Sequence, residues 1–149
     1  MPGNIETIAA QIYNAEMDGY LPGRIALHAH LADEVRLRRV PPLPEDGVRS
    51  RDRFLEMWLS EATAYEMLQD FRQENVAVSV TGDQISLHRT RCATTSDGEA
   101  LRIPIVQILT IEDDKIVAME VHMTPDDVTR MSALIETSGL PHADVPMRS

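Results

Sequence analysis

A histidine, two arginines and a cysteine share one strand-like octapeptide, ISLHRTRC, at residues 85–92. Alternation along a strand sends His88, Thr90 and Cys92 to one face and Leu87, Arg89 and Arg91 to the other. An inward His88 would be a proton-transfer group, because histidine changes charge nearest neutral pH. The register of the next hairpin decides which set faces in. With Asp97-Gly98 at the centre of a two-residue type I′ turn, Ser96 faces Glu99, and counting back sets Cys92 opposite Ile103, Thr90 opposite Ile105 and His88 opposite Gln107. Leu101, Ile103, Ile105, Leu109 and Ile111 are the stronger apolar row of the partner strand, so their face is expected to be the covered one. His88 and Gln107 would then be polar neighbours on an interior wall lined by Thr90, Cys92 and Ile105. A glutamine amide can donate to a ligand oxygen without titrating, but a His–Gln pair can also satisfy itself inside a core. One more residue in the turn reverses every assignment and brings Arg89 and Arg91 inward.

The elements that would position these groups follow from periodicity. Ile5, Ile8, Ile12 and Ala15 recur at helical spacing behind the N-cap candidate Asn4, which predicts a helix over Asn4–Asp18, broken by "DGYLPG". A shorter helix is expected over 24–31, and "ADEVRLRRV" alternates like a strand. "PPLPEDG" cannot continue a regular element. Ser50 caps a third helix whose buried stripe holds Phe54, Met57 and Trp58. From Tyr65 the period changes to that of strands, giving four long segments joined by "TGD", "SDGE" and "EDDK". In the last of these Met119, Val121 and Met123 share one row and are expected to line the interior with Phe54 and Trp58, while Glu120 and His122 face outward. A terminal helix begins after Thr124, with Pro125 at its first position and Gly139 as its stop. Residues 141–149 read as a tail or partner arm. The result is an α+β fold: one domain, residues 1–140, with a cone-shaped, curved antiparallel sheet wrapped around N-terminal helices.

Composition narrows the function. The chain has 149 residues and a formal net charge of −10, without a basic, aromatic-interleaved stripe, so nucleic acid is a disfavoured partner. Cys92 is the sole cysteine, which excludes an intrachain disulfide. No signal-peptide pattern precedes the first helix, and the longest apolar stretch, "IPIVQILTI", is too short to span a bilayer. A cytoplasmic protein without membrane contact is expected. His28 and His30 are two apart and cannot grip one metal as an i, i+4 pair can, so no metal site is expected. No Gly-rich phosphate loop, nucleophile elbow or CxxC pair occurs, and no cofactor is expected.

Three stretches carry a resemblance: "HLADEVRLR" is similar to a "FADDxxxx" pattern, "GVRSRDRFLEMW" to "GxExIxxFx", and "LTIEDDKIVAMEVHMTP" to "FxxxDGKIxxxxxxxD". Together the chain, over residues 5–140, resembles the nuclear-transport-factor-2-like (cystatin-like) superfamily, especially its SnoaL-like and ketosteroid-isomerase-like members. The resemblance implies a conical barrel with a deep apolar pocket. It also implies a homodimer formed through the outer sheet face, and members that isomerise, cyclise, dehydrate or hydrolyse small molecules, or only bind them. It sets Gln107 where ketosteroid isomerases place an oxyanion-binding acid, and Tyr13 where they place the partner phenol. Asp18 and Asp70 fall near points where scytalone-dehydratase-like members hold an acid; each also reads as a surface carboxylate. Arg38-Arg39 stands where the isomerases carry their aspartate base, and Arg91 and Val121 where limonene-epoxide-hydrolase-like members carry two aspartates. The expectation is therefore a cofactor-independent acid/base enzyme acting on a small apolar oxygenated molecule such as a polyketide, terpenoid or steroid-like compound, with Tyr13, Gln107, His88 and Asp70 as candidate catalytic residues. A non-catalytic binding or dimerisation module on the same scaffold is the alternative.

Overall fold

The computed structural model describes residues 4–43, 46–95 and 97–138, with side chains to residue 133. Its elements run α1 (Asn4–Asp18), α2 (Tyr20–His30), β1 (Leu31–Val40), β2 (Gly47–Ser50), α3 (Arg51–Glu66), β3 (Gln69–Thr81), β4 (Gln84–Thr94), β5 (Ala100–Glu112), β6 (Lys115–His122) and α4 (Pro125–Ser138). The expected caps are in place: Ser50 Oγ accepts from Arg53 N at 3.3 Å, and Thr124 Oγ1 from Asp127 N at 3.1 Å. Gly139 and residues 141–149 lie outside the described residues.

Two helix limits differ from the periodic reading. α2 begins at Tyr20, because Gly19, at φ 138°, makes the break alone and Pro22 sits in the first turn, where its missing N–H leaves no hydrogen bond unmade. α3 continues to Glu66, since the Ala- and Glu-rich "EATAYE" favours helix and Ala62, Ala64 and Tyr65 are buried by it. Both extensions carry side chains into the interior that a shorter helix would have left in loops or strands.

The strands form one curved, unclosed sheet in the order β2-β1-β6-β5-β4-β3. The meander β3 to β6 is antiparallel throughout, but β1 pairs with β6 in parallel, through Leu37 with Met119 and Arg39 with Val121. The sheet is mixed rather than wholly antiparallel because the chain leaves β1, passes through β2 and α3, and returns with β6 alongside β1 in the same direction. α1, α2 and α3 cover the concave face. Ile8, Ile12, Leu27, Phe54 and Trp58 pack there with Leu87, Ile103, Ile105 and Leu109 in one core.

The β4–β5 register overturns the expected face assignment. Thr95 N donates to Glu99 O at 2.9 Å and Thr95 Oγ1 accepts from Glu99 N at 3.1 Å, so Thr95 and Glu99 are the last pair and residues 96–98 lie between them. Gly98, at φ 83°, takes the left-handed position that closes a three-residue loop. Ladder partners are therefore His88 with Val106, Arg89 with Ile105, Thr90 with Pro104, Arg91 with Ile103 and Cys92 with Arg102. Leu87, Arg89 and Arg91 face inward. His88, Thr90 and Cys92 lie on the outer face, where His88 is exposed while Thr90 and Cys92 are covered by their neighbours. Thiol labelling checks this parity. In a Cys92→Ala background, His88→Cys is expected to react with a maleimide in the native state, and Leu87→Cys only after denaturation.

Candidate active site

The apolar stripe of each helix runs on into a polar residue at the next core position. On α1 the series Ile5, Ile8, Ile12 continues to Glu16; on α2 Tyr20, Arg24 and Leu27 share a face; on α3 Phe54, Trp58, Glu61 and Tyr65 do. Helical geometry thus delivers ionisable groups to the centre of the molecule, and Glu16, Arg24 and Glu61 are 1%, 0% and 0% exposed. The sheet supplies the opposite wall, with Arg89, Arg91 and Gln107 buried on its inner face.

Two hydrogen-bonded groups result. In the first, Arg24 Nη2 reaches Glu16 Oε1 at 3.0 Å and Gln107 Oε1 at 3.2 Å, and Gln73 Nε2 donates to Glu16 Oε2 at 2.7 Å. In the second, Tyr20 Oη donates to Glu61 Oε1 at 2.6 Å, and Arg91 Nη1 donates to Tyr65 Oη at 2.8 Å and lies 3.8 Å from Glu61. The Tyr20 ring is shared by the two. The Arg24 guanidinium lies 5.1 Å from its centroid, the Arg91 guanidinium 4.8 Å, and Trp58 meets Arg24 at 5.4 Å. These cation–π distances are within the range that stabilises a desolvated cation.

Several donors of the first group are weakly engaged. Gln107 Nε2 donates to the thioether of Met119 at 3.1 Å, and sulfur is a weak acceptor. Arg24 Nε and Nη1 are buried and have no hydrogen-bond partner among the described residues. Burial raises the Glu16 carboxyl, yet Arg24, Arg89, Gln73 and Arg91 outweigh it and hold the group below its ordinary 4.5. Tyr20 is pushed well above the usual phenol range by burial and by the Glu61 carboxylate, so its hydroxyl is a neutral donor. A Cβ on Gly23 would stand 2.5 Å from the Glu16 carboxylate, so that glycine is the space in which the carboxylate sits.

The structure separates the candidates read from sequence. Gln107 faces the interior, but its ladder partners are Leu87 and Val121 rather than His88. His88 is on the outer face and cannot share an atom with it. Tyr13 is 38% exposed and lines an open groove of about 490 Å³ with Ala9, Ala10 and Val76 to Val80. Asp18 and Asp70 are exposed. Phe54, Trp58, Ile105, Met119, Val121 and Met123 are buried in the core cluster; Thr90 and Cys92 belong to the opposite face of the sheet. Glu16, Tyr20, Arg24, Glu61, Tyr65 and the two arginines of β4 form the site that the hairpin reading missed. The available signal was an ionisable side chain recurring at a core position of an amphipathic stripe. Among the described residues no group of His, Cys, Asp and Glu is arranged to hold a metal ion, and no helix is long and apolar enough to cross a membrane.

Residues 22–119 match the family model of the SnoaL-like domain. The chain belongs to the SnoaL-like domain family. No curated protein matches it by sequence. Among solved structures it is similar to a nuclear-transport-factor-2-like protein of unknown function from Burkholderia pseudomallei, at 19% identity over 87% of this chain and 97% of that one, TM-score 0.59. A protein from Jannaschia sp. CCS1 named as a SnoaL-like polyketide cyclase is 16% identical over 88% of this chain and 90% of its own, TM-score 0.59. TerC, co-crystallised with polyporic acid, is 18% identical over 89% and 98%, TM-score 0.58. At these identities the likeness is one of fold.

Two measurements test the geometry. Gly23→Ala, which in an ordinary helix interior would stabilise by about 1 kcal/mol, is expected to destabilise here by about 1–3 kcal/mol in urea unfolding, because the methyl group displaces the Glu16 carboxylate. For pH, the folded Glu16 carboxyl lies below its unfolded value of 4.5, so its contribution is complete above about pH 4.5 and is lost as pH falls further. Unfolding free energy below that pH is expected to decline more steeply in the wild type than in the Glu16→Leu/Arg24→Met double variant.

Proposed function

We propose that the protein is a cofactor-independent acid/base enzyme, of the isomerase, cyclase, dehydratase or hydrolase type, acting on a small apolar oxygenated molecule such as a polyketide, terpenoid or steroid-like compound. One observation carries the reading: inside an apolar core, Arg24 and Gln107 meet with donors that are unused or spent on sulfur. A ligand oxygen that displaces the flexible Met119 thioether gains a stronger hydrogen bond from Gln107 and one from Arg24. Both donors then stabilise negative charge as it develops on that oxygen, in surroundings where water does not compete. Glu16, bonded to Arg24 and Gln73, is a weak base that fixes the guanidinium. Glu61 is the carboxylate placed to accept a proton, with the neutral Tyr20 hydroxyl as its hydrogen-bond donor. Phe54, Trp58, Ile105, Val121 and Met123 supply the apolar walls, and His88, Tyr13 and Asp70 have no part in this arrangement. Membership in the SnoaL-like family supports small-molecule work, as do the polyporic acid held by TerC and the cyclase name of the Jannaschia protein.

The same reading makes residues 1–140 a single cytoplasmic domain with a C-terminal tail. It forms a homodimer through the outer sheet face, where Pro104, Val106 and Ile108 are incompletely buried. A binding module without turnover is the second reading, and the full engagement of Glu16 by Arg24 and Gln73 favours it. Deuterium exchange distinguishes the two. In heavy water, the protein is expected to accelerate exchange of the acidic C–H protons of at least one member of a panel of β-diketones, phenolic ketones and cyclic enones. Gln107→Leu is expected to slow that exchange by about 10²-fold. Binding of panel members without any acceleration leaves the binding module as the function.

A further inference from the structure

We propose that this site takes its ligand as an anion: the conjugate base of a phenol, enol or carboxylic acid, its charged oxygen held by Arg24 and Gln107. The inference rests on the reading that the interior binds a small molecule, and adds the charge that molecule carries. Arg24, Arg89 and Arg91 are all buried, and all three act on the Glu16 carboxyl. The rings of Tyr20 and Trp58 have their centroids 5.1 and 5.4 Å from the Arg24 guanidinium carbon, and Arg24 Nε and Nη1 are buried without an acceptor among the described residues. Gln107 Nε2, whose Oε1 is fixed by Arg24, offers a further donor beside them.

Glu16 gauges the local field. A carboxyl removed from water is driven toward its neutral form, yet here the arginines hold it ionised. An acid of the ligand placed against Arg24 meets the same guanidiniums and loses its proton for the same reason. The titratable and charged groups facing that position are Glu16 from α1, Tyr20 and Arg24 from α2, Glu61 and Tyr65 from α3, and Arg89 and Arg91 from β4. Each carboxylate among them already has a cationic partner, at 3.0 Å for Glu16 and 3.8 Å for Glu61. Repulsion of a further anion is therefore offset, and its charge-assisted hydrogen bonds are of the stronger kind.

A pair of probes that differ only in ionisation tests this on the full chain: para-nitrophenol and its methyl ether, para-nitroanisole. Nitrophenol is expected to bind at least about tenfold more tightly at pH above its own pKa. Its bound form is expected to show phenolate absorbance about one pH unit or more below the pH at which the free dye ionises. Gln107→Leu is expected to weaken the phenolate about tenfold. The Arg24→Met/Glu16→Leu variant removes both charges together, so neither is stranded; with its fold confirmed by circular dichroism, it is expected to abolish the preference. Equal binding of the two probes overturns the anion inference and leaves the small-molecule reading standing. A phenolate preference untouched by both variants overturns it too, because the anion then lies elsewhere. Failure of both probes to bind also overturns it, while the proton-exchange panel still decides the broader function.

Discussion

The ion pair between Glu16 and Arg24, 3.0 Å apart and wholly out of water, is the constraint around which the interior is organised. Removing two charges from water costs several kcal/mol per ion, and their attraction offsets this only with good geometry and further hydrogen bonds. The neighbouring residues supply both. Gln73 donates to the carboxylate oxygen that Arg24 does not hold, Gln107 accepts from the guanidinium, and the Tyr20 and Trp58 rings lie within cation–π distance of it. Gly23 contributes the absence of a side chain, leaving room for the carboxylate beneath α2. These groups come from α1, α2, α3, β3 and β5, so one electrostatic requirement ties the helices to the sheet at a defined distance and rotation.

The second polar group follows from the first. Arg24 and Arg91 both lie within cation–π distance of the Tyr20 ring, and each retains a carboxylate of its own. Tyr20 Oη bonds Glu61, while Tyr65, stacked on Phe71 at 4.5 Å, bonds Arg91. Replacing a buried ion pair by apolar residues of similar volume is often neutral or stabilising. The cluster is kept with Arg24 Nε and Nη1 lacking an acceptor among the described residues and Gln107 Nε2 spent on sulfur. A low dielectric strengthens each of these contacts and makes the unused donors correspondingly demanding.

Much of this was legible from residue patterns. The α1 limits, the Ser50 and Thr124 caps, the four-strand meander and the inward row Leu101, Ile103, Ile105 and Leu109 follow from local rules, and the SnoaL-like resemblance from three short stretches. The reading of β4 failed at one point. Asp97-Gly98 fits a two-residue turn and equally a three-residue loop in which glycine takes the left-handed position, because both need a residue tolerant of positive φ. Pairing of Thr95 with Glu99 selected the second, and since side chains alternate, that one residue moved His88 to solvent and Arg89 and Arg91 inside. The inward apolar row of β5 was right; only its phase against β4 was wrong.

The sequence by itself determined the order of most elements and the apolar part of each helix's buried stripe, because hydrophobic periodicity and capping act over a few residues. The stripes read from it nevertheless left out Glu16, Arg24 and Glu61, because nothing local explains a charge at a core position. Only the tertiary structure decided that those charges meet one another. Their partners lie between 8 and 83 residues apart in the chain, as with Arg24 and its two acceptors Glu16 and Gln107. A buried ion is tolerated by virtue of what surrounds it, and those surroundings exist only once the helices have been laid on the sheet and the parity of one hairpin has been set.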